Sequence, residues 1–219
     1  MKIIRRGAID LVEQKKNTFS FILKNKEFQN YFDEIKSFTK VNVERKVAFQ
    51  FNALQVLTLS QLLKSEKELS YLMCKSIFVD ISQQIKLLEE IGYGYLSIHP
   101  DDLIFIQTDN ENFSFIFLNL DDYYNVEKNM LKITKPYSKH SYFSPQIKNI
   151  TQIPIDINYS QNIFYSLAMV ICNCLGKIDP NDKYIDYQKN LDCILETKLY
   201  WALLRCLKDK PSDRFCLFI

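Results

Sequence analysis

The sequence predicts an α+β fold, with a small strand-bearing N-terminal part, residues 1–58, and a mainly helical remainder, residues 59–219. Three observations carry this. Residues 17–25 (NTFSFILKN) and 44–57 (ERKVAFQFNALQVL) are rich in Phe, Ile and Val and partly alternate, as half-buried strands do. Residues 68–94 repeat apolar side chains at helical spacing (Leu69, Leu72, Met73, Ile77, Phe78, Ile81, Ile85, Leu88), and the helix should stop at Gly92. Two short apolar runs, Leu103–Ile106 and Phe113–Leu120, flank a polar turn at 107–112.

The remaining elements follow in order. Residues 26–41 place Phe28, Tyr31, Phe32, Ile35 and Phe38 at helical spacing, which predicts a helix between the two N-terminal strands. Thr58 is a candidate N-cap for a short helix, LSQLLKS. Residues 97–102 form a tight loop in which Pro100 fixes one backbone angle. Residues 125–149 are polar and irregular, and read as a long loop. Residues 160–176 are apolar on nearly every face and end at Gly176, so this helix should be buried. Residues 191–208 read as a last amphipathic helix, followed by a closing turn over 209–219.

Composition narrows the function classes. The 219-residue chain carries 28 basic and 26 acidic residues, a net charge of +2, and no polybasic block. Nucleic-acid and anionic-membrane binding both draw on clustered Lys and Arg, so neither is expected. The run Ile163–Leu175 is too short for a membrane span, and the start MKIIRRGAID lacks the apolar core of a cleaved signal. The six cysteines, at 74, 172, 174, 193, 206 and 216, make no C-x-x-C pair, and His99 and His140 are not spaced with them as zinc ligands. Reduced core thiols and a cytoplasmic location are the expectation. The four glycines, Gly7, Gly92, Gly94 and Gly176, cannot assemble a glycine-rich phosphate loop.

Taken together, the central and C-terminal segments resemble a protein kinase, chiefly its C-lobe. Tyr95-Leu96-Ser97 stand where that family has H-R-D, with Asp102 at the metal-binding Asn of the same loop. Asn119-Leu120-Asp121 stand at D-F-G, and YFSPQ (142–146) resembles A-P-E, keeping Pro145 and replacing the Glu by Gln146. FYSLAMVICNCLG (164–176) resembles the family's buried D-x-W-S-x-G helix, matching Ser166 and Leu167 but with Ala168 for the Gly and Ile163 for the Asp. Pro211 and Arg214 match its closing segment. The resemblance spans residues 77–215 and implies a kinase-like fold with a reduced, β-containing N-lobe and a mainly helical C-lobe. It implies Lys24 as the phosphate-pairing lysine, with Glu34 as its ion-pair partner, and a hydrogen bond from Arg214 to Gln146.

The departures remove the chemistry. Phosphoryl transfer requires a carboxylate to orient the acceptor hydroxyl, carboxylates on magnesium and a cover over the phosphates. Ser97 and Asn119 are neutral where the family has aspartates, and the glycine cover is missing. The expectation is a catalytically inactive pseudokinase that binds protein partners, among them an active kinase or a larger complex, and uses no cofactor and no metal. Two alternatives stand beside it. One is a divergent ATP-dependent kinase using Asp102 and Asp121 on a cation, with Lys24. The other is a structural subunit that docks through exposed Tyr31, Phe32 and Phe38.

Overall fold

The computed structural model describes residues 3–24, 26–35, 38–43, 46–176, 178–182 and 185–219. Over these the chain is α+β, built on three antiparallel sheets. Strands β1 (Ile3–Arg6), β2 (Ile9–Lys15) and β3 (Thr18–Leu23) precede helix α1 (Gln29–Glu34), and β4 (Thr39–Val43) and β5 (Lys46–Asn52) follow it. They form one sheet in the order β1-β2-β3-β5-β4. The register sets Phe19 opposite Phe51 and Phe21 opposite Phe49, so four rings collect in the middle strands. Helix α1 lies on them: Phe32 packs on Phe21 at 5.4 Å and on Phe49 at 5.2 Å between ring centroids.

This packing corrects two expectations. The helix over 26–41 is only six residues long, because Thr39–Val43 pairs with β5 as a strand. Tyr31 and Phe32 are not available to a partner; each is 1% exposed and belongs to the core. Burying an aromatic ring of that size contributes about 2–3 kcal/mol, which the short helix alone cannot supply.

The run 44–57 also divides. β6 (Gln55–Thr58) leaves the first sheet and pairs with β8 (Leu103–Gln107), which pairs with β9 (Phe113–Phe117). A sheet therefore joins residues on both sides of position 58. Thr58 caps α2 (Leu59–Ser65) through a reciprocal box: its hydroxyl accepts from the Gln61 N–H at 3.2 Å, and the Gln61 side chain accepts from the Thr58 N–H at 3.1 Å.

The long central helix, α3 (Tyr71–Glu90), closes the open edge of β9 with side chains in place of a strand. Asp80 accepts from the Phe115 N–H at 2.9 Å. One turn later, Gln84 donates to the Phe115 carbonyl and accepts from the Phe117 N–H, both at 2.8 Å. Tyr31 completes the set by donating to Gln84 at 2.7 Å. An exposed edge would otherwise leave those backbone groups open to pairing with another chain.

After β7 (Tyr93–Gly94), the stretch expected to be a long loop contains a hairpin, β10 (Tyr124–Glu127) and β11 (Met130–Ile133). Its turn residues, Lys128 and Asn129, both have positive φ, 50° and 61°. That is the geometry of a two-residue hairpin turn, but Lys-Asn lacks the glycine that usually announces one. β12 (Ile155–Asn158) joins to give the sheet β12-β11-β10-β7. Residues 59–219 thus carry strands as well as helices.

Helix α4 (Pro145–Lys148) leads toward α5 (Tyr159–Cys174), which is buried along nearly its whole length as expected. Beyond α6 (Tyr187–Asn190), the region 191–208 is broken at Glu196, φ 64°, and its regular part is α7 (Lys198–Cys206), capped by Thr197. All six cysteines are free, and burial pushes the Cys74 thiol up to about 12. No helix of the described residues is long and apolar enough to cross a membrane.

Candidate functional site

A cleft of about 450 Å³ opens between the loop after β7 and the segment that follows β11. Its lining includes Ser97, His99, Asp102, Asn119, Lys135 and His140. A larger depression of about 570 Å³, beside Tyr187 and Leu207, contains none of the sequence-derived site residues. The smaller cleft is the candidate because ionisable and hydrogen-bonding groups from distant parts of the chain converge there.

The loop is held from below. Ser166, buried on α5, accepts from the Ile98 N–H at 2.8 Å and donates to the Ile98 carbonyl at 3.2 Å. This double tie fixes Ser97 and His99 on either side. The loop then enters a 3₁₀ turn, Pro100–Asp102, capped at both ends of its first bond. The His99 ring Nδ1 accepts from the Asp101 N–H at 3.2 Å, and Asp102 Oδ2 accepts from the His99 N–H at 3.0 Å.

Asp102 is 8% exposed, and its other oxygen accepts from the Asn119 amide at 3.1 Å. Two residues singled out separately in the sequence, 17 positions apart, therefore meet in one hydrogen bond. The meeting is of one carboxylate with one neutral amide. An amide offers no second negative charge to a divalent cation. Among the described residues, no group of three or more His, Cys, Asp and Glu side chains is arranged to hold a metal.

Ser97 is placed against His140, 2.8 Å from hydroxyl to Nε2. This pairing had no sequence signal, since 43 positions and a hairpin separate the two. The other ring nitrogen of His140, Nδ1, accepts from the Tyr142 N–H at 3.3 Å. The hydrogen-bond partners therefore assign the ring proton to Nε2, which donates to Ser97. A serine nucleophile needs the opposite arrangement, with the imidazole accepting. Burial first, then the neighbouring His99 and Lys148, depresses the His140 pKa to about 4, so the ring is neutral near pH 7. It also stacks on Phe143 with centroids 4.2 Å apart.

The remaining sequence-derived residues lie elsewhere. Lys24 pairs with Asp10 on the adjacent strand at 3.0 Å, while Glu34 is solvent-exposed at the end of α1; the expected Lys24–Glu34 pair is not formed. The reason is local: the Lys24 N–H bonds the Ala8 carbonyl beside Asp10, which puts the ammonium over β2. Asp121 does not line the cleft. Its carboxylate accepts from the Ala8 N–H at 2.6 Å in the β1–β2 turn, where a side chain on Gly7 would collide with it. Its neighbour Asp122 does face the cleft, 4.0 Å from Lys135, whose ammonium sits over the Tyr124 ring.

Behind the cleft, Arg214 forms a dense anchor and is 4% exposed. It donates to the Gln146 side chain at 2.6 Å, to the Lys208 carbonyl at 2.5 Å and to the Asp209 carbonyl at 3.0 Å, and it stacks on Tyr165. Pro145 begins α4 and so presents Gln146 toward it.

No protein-family model matches the chain, and a search of curated proteins found no match to it.

Proposed function

We propose that this is a kinase-like protein without phosphotransferase activity, a pseudokinase acting as a protein-binding scaffold or allosteric partner. The observation that carries the reading is the Asp102–Asn119 hydrogen bond. The two loop positions that the kinase resemblance assigns to magnesium lie side by side at the cleft, as that alignment requires. Yet one is an amide, and it satisfies the remaining carboxylate internally. The serine at the hydroxyl-orienting position faces a hydrogen-bond donor and carries no charge. The Arg214–Gln146 bond, expected from the resemblance to the closing segment, supports the same alignment.

Two placements speak against a divergent kinase. Lys24 is committed to Asp10, and Asp121 is committed to the β1–β2 turn, so neither joins Asp102 at the cleft. Losing the orienting aspartate, one metal carboxylate and the phosphate cover should together cost many powers of ten, each about 1.4 kcal/mol of barrier being tenfold.

The test is a thermal-shift titration with ATP, with and without magnesium, run beside a phosphotransfer assay on a generic protein substrate. No magnesium-dependent shift and no transfer are expected. Stoichiometric magnesium–ATP binding with transfer that Asp102→Ala abolishes would overturn the proposal.

A further inference from the structure

The aromatic residues available to a partner are not on α1. They lie on a strip where the C-terminal segment crosses the helices. Trp201 on α7 is 53% exposed, Phe215 47%, Leu217 37% and Phe218 50%. Contacts tie the C-terminal part of it to the helices. Arg205, one turn after Trp201, lies over the Phe215 ring at 5.0 Å, and Phe218 meets Phe164 of α5 at 6.3 Å. Lys86 of α3 then covers the Phe218 ring at 4.0 Å.

Two cations are thus held against exposed aromatic faces, Arg205 on Phe215 and Lys86 on Phe218. Among the described residues neither is within ion-pair distance of a carboxylate. Glu89, on the same helix as Lys86, has its pKa raised by burial while the Lys86 charge acts in the opposite direction, an attraction through space without a contact pair. A ring-stacked cation retains its charge and most of its hydrogen-bond donors, so it can accept a carboxylate without leaving the ring. The chemistry that matches is an apolar ridge flanked by acids.

We infer that the strip Trp201–Phe215–Leu217–Phe218 is a docking face for an acidic amphipathic helix of a partner protein, with Arg205 and Lys86 pairing its flanking carboxylates. Large aromatic side chains and arginine are the residue types that dominate interface energetics. A membrane surface fits less well, because anionic-lipid binding draws on clusters of roughly four to eight Lys and Arg where this strip has two. The inference rests on reading the chain as a binding module, but it does not depend on the cleft, and its test leaves the ATP experiment untouched.

Trp201 is the one tryptophan of the chain, so its emission reports the strip directly. The probe is an amphipathic helical peptide of about 18 residues with Leu and Phe on one face and Glu on the flanks, against a control with Lys at every Glu. The acidic peptide should shift Trp201 emission to the blue and bind at least about tenfold tighter than the basic one. The double variant Lys86→Glu with Arg205→Glu, both at exposed positions, should reverse that preference while leaving the unfolding midpoint close to wild type. Equal responses to the two peptides, no response to either, or no reversal in the variant would overturn the proposal. So would an emission shift that grows with protein concentration alone, which assigns the strip to a second copy. An equal shift with phosphatidylserine vesicles would assign it to a membrane.

Discussion

Among the described residues, Asp102 beside the cleft and Arg214 behind it are buried charged residues, and each is tied to a side-chain amide. Asp102 holds Asn119, and Arg214 holds Gln146. The surroundings differ. Arg214 spreads its donors over a side chain and several carbonyls and lies on the Tyr165 ring, away from the cleft. Asp102 lines an open cleft next to two histidines and a serine. The same device, a charge answered by a neutral dipole, is an anchor in one place. In the other it neutralises a buried position in the wall of a cleft. A buried charge without such partners would cost several kcal/mol, so both amides stabilise the fold whatever else they do.

The largest effect expected from breaking this comparison is at the anchor. Arg214→Ala removes the donors that hold Gln146 and the carbonyls of Lys208 and Asp209, and should lower stability by about 3 kcal/mol in urea unfolding. Asp102→Asn, which keeps an acceptor for the His99 N–H, should cost less than about 1 kcal/mol. Equal losses would mean that the two sites are alike after all.

A smaller effect, of opposite sign, comes from Gln146→Glu. A carboxylate at this half-buried position would turn a neutral acceptor into a charged one for a guanidinium whose pKa burial already lowers. The charge-assisted bond should raise stability by about 1 kcal/mol near pH 7, and the gain should vanish once the new carboxyl is protonated. A destabilised variant would show that desolvation of the carboxylate outweighs the pairing.

The smallest effect is the pH response of the cleft. His140 titrates at about 4 in the folded chain, below the value near 6.5 of an unfolded histidine. The unfolded chain therefore takes up the proton first. The contribution is complete above about pH 6.5 and is lost as pH falls toward 4. Partial exposure screens it, so the expected signal is a modest acid slope in the denaturation midpoint that His140→Phe flattens. An unchanged slope would remove His140 from the account of the cleft.

Much of the fold was legible in the residues. The repeat over 68–94 specifies α3, the all-round apolar run specifies buried α5, and Thr58 marks the cap of α2, although the answering role of Gln61 emerged only in the structure. What escaped were elements defined by partners far away in sequence. β4 reads as a helical continuation until β5 is set beside it, and the hairpin of β10 and β11 turns on Lys128 and Asn129 in place of glycine. For the cleft, motif order singled out Ser97, Asp102 and Asn119, but His140 carried no signal because its partner is fixed only when α5 clamps the loop.

By itself, then, the sequence determined which segments bury an apolar face and which site positions lack a charge, because periodicity and side-chain chemistry are local properties. The tertiary structure decided which groups meet: Asp102 with Asn119, Ser97 with His140, Lys24 with Asp10, and the aromatic residues of α1 with the sheet. Those pairings depend on distances between segments far apart in the chain, and only the closing of the core sets them.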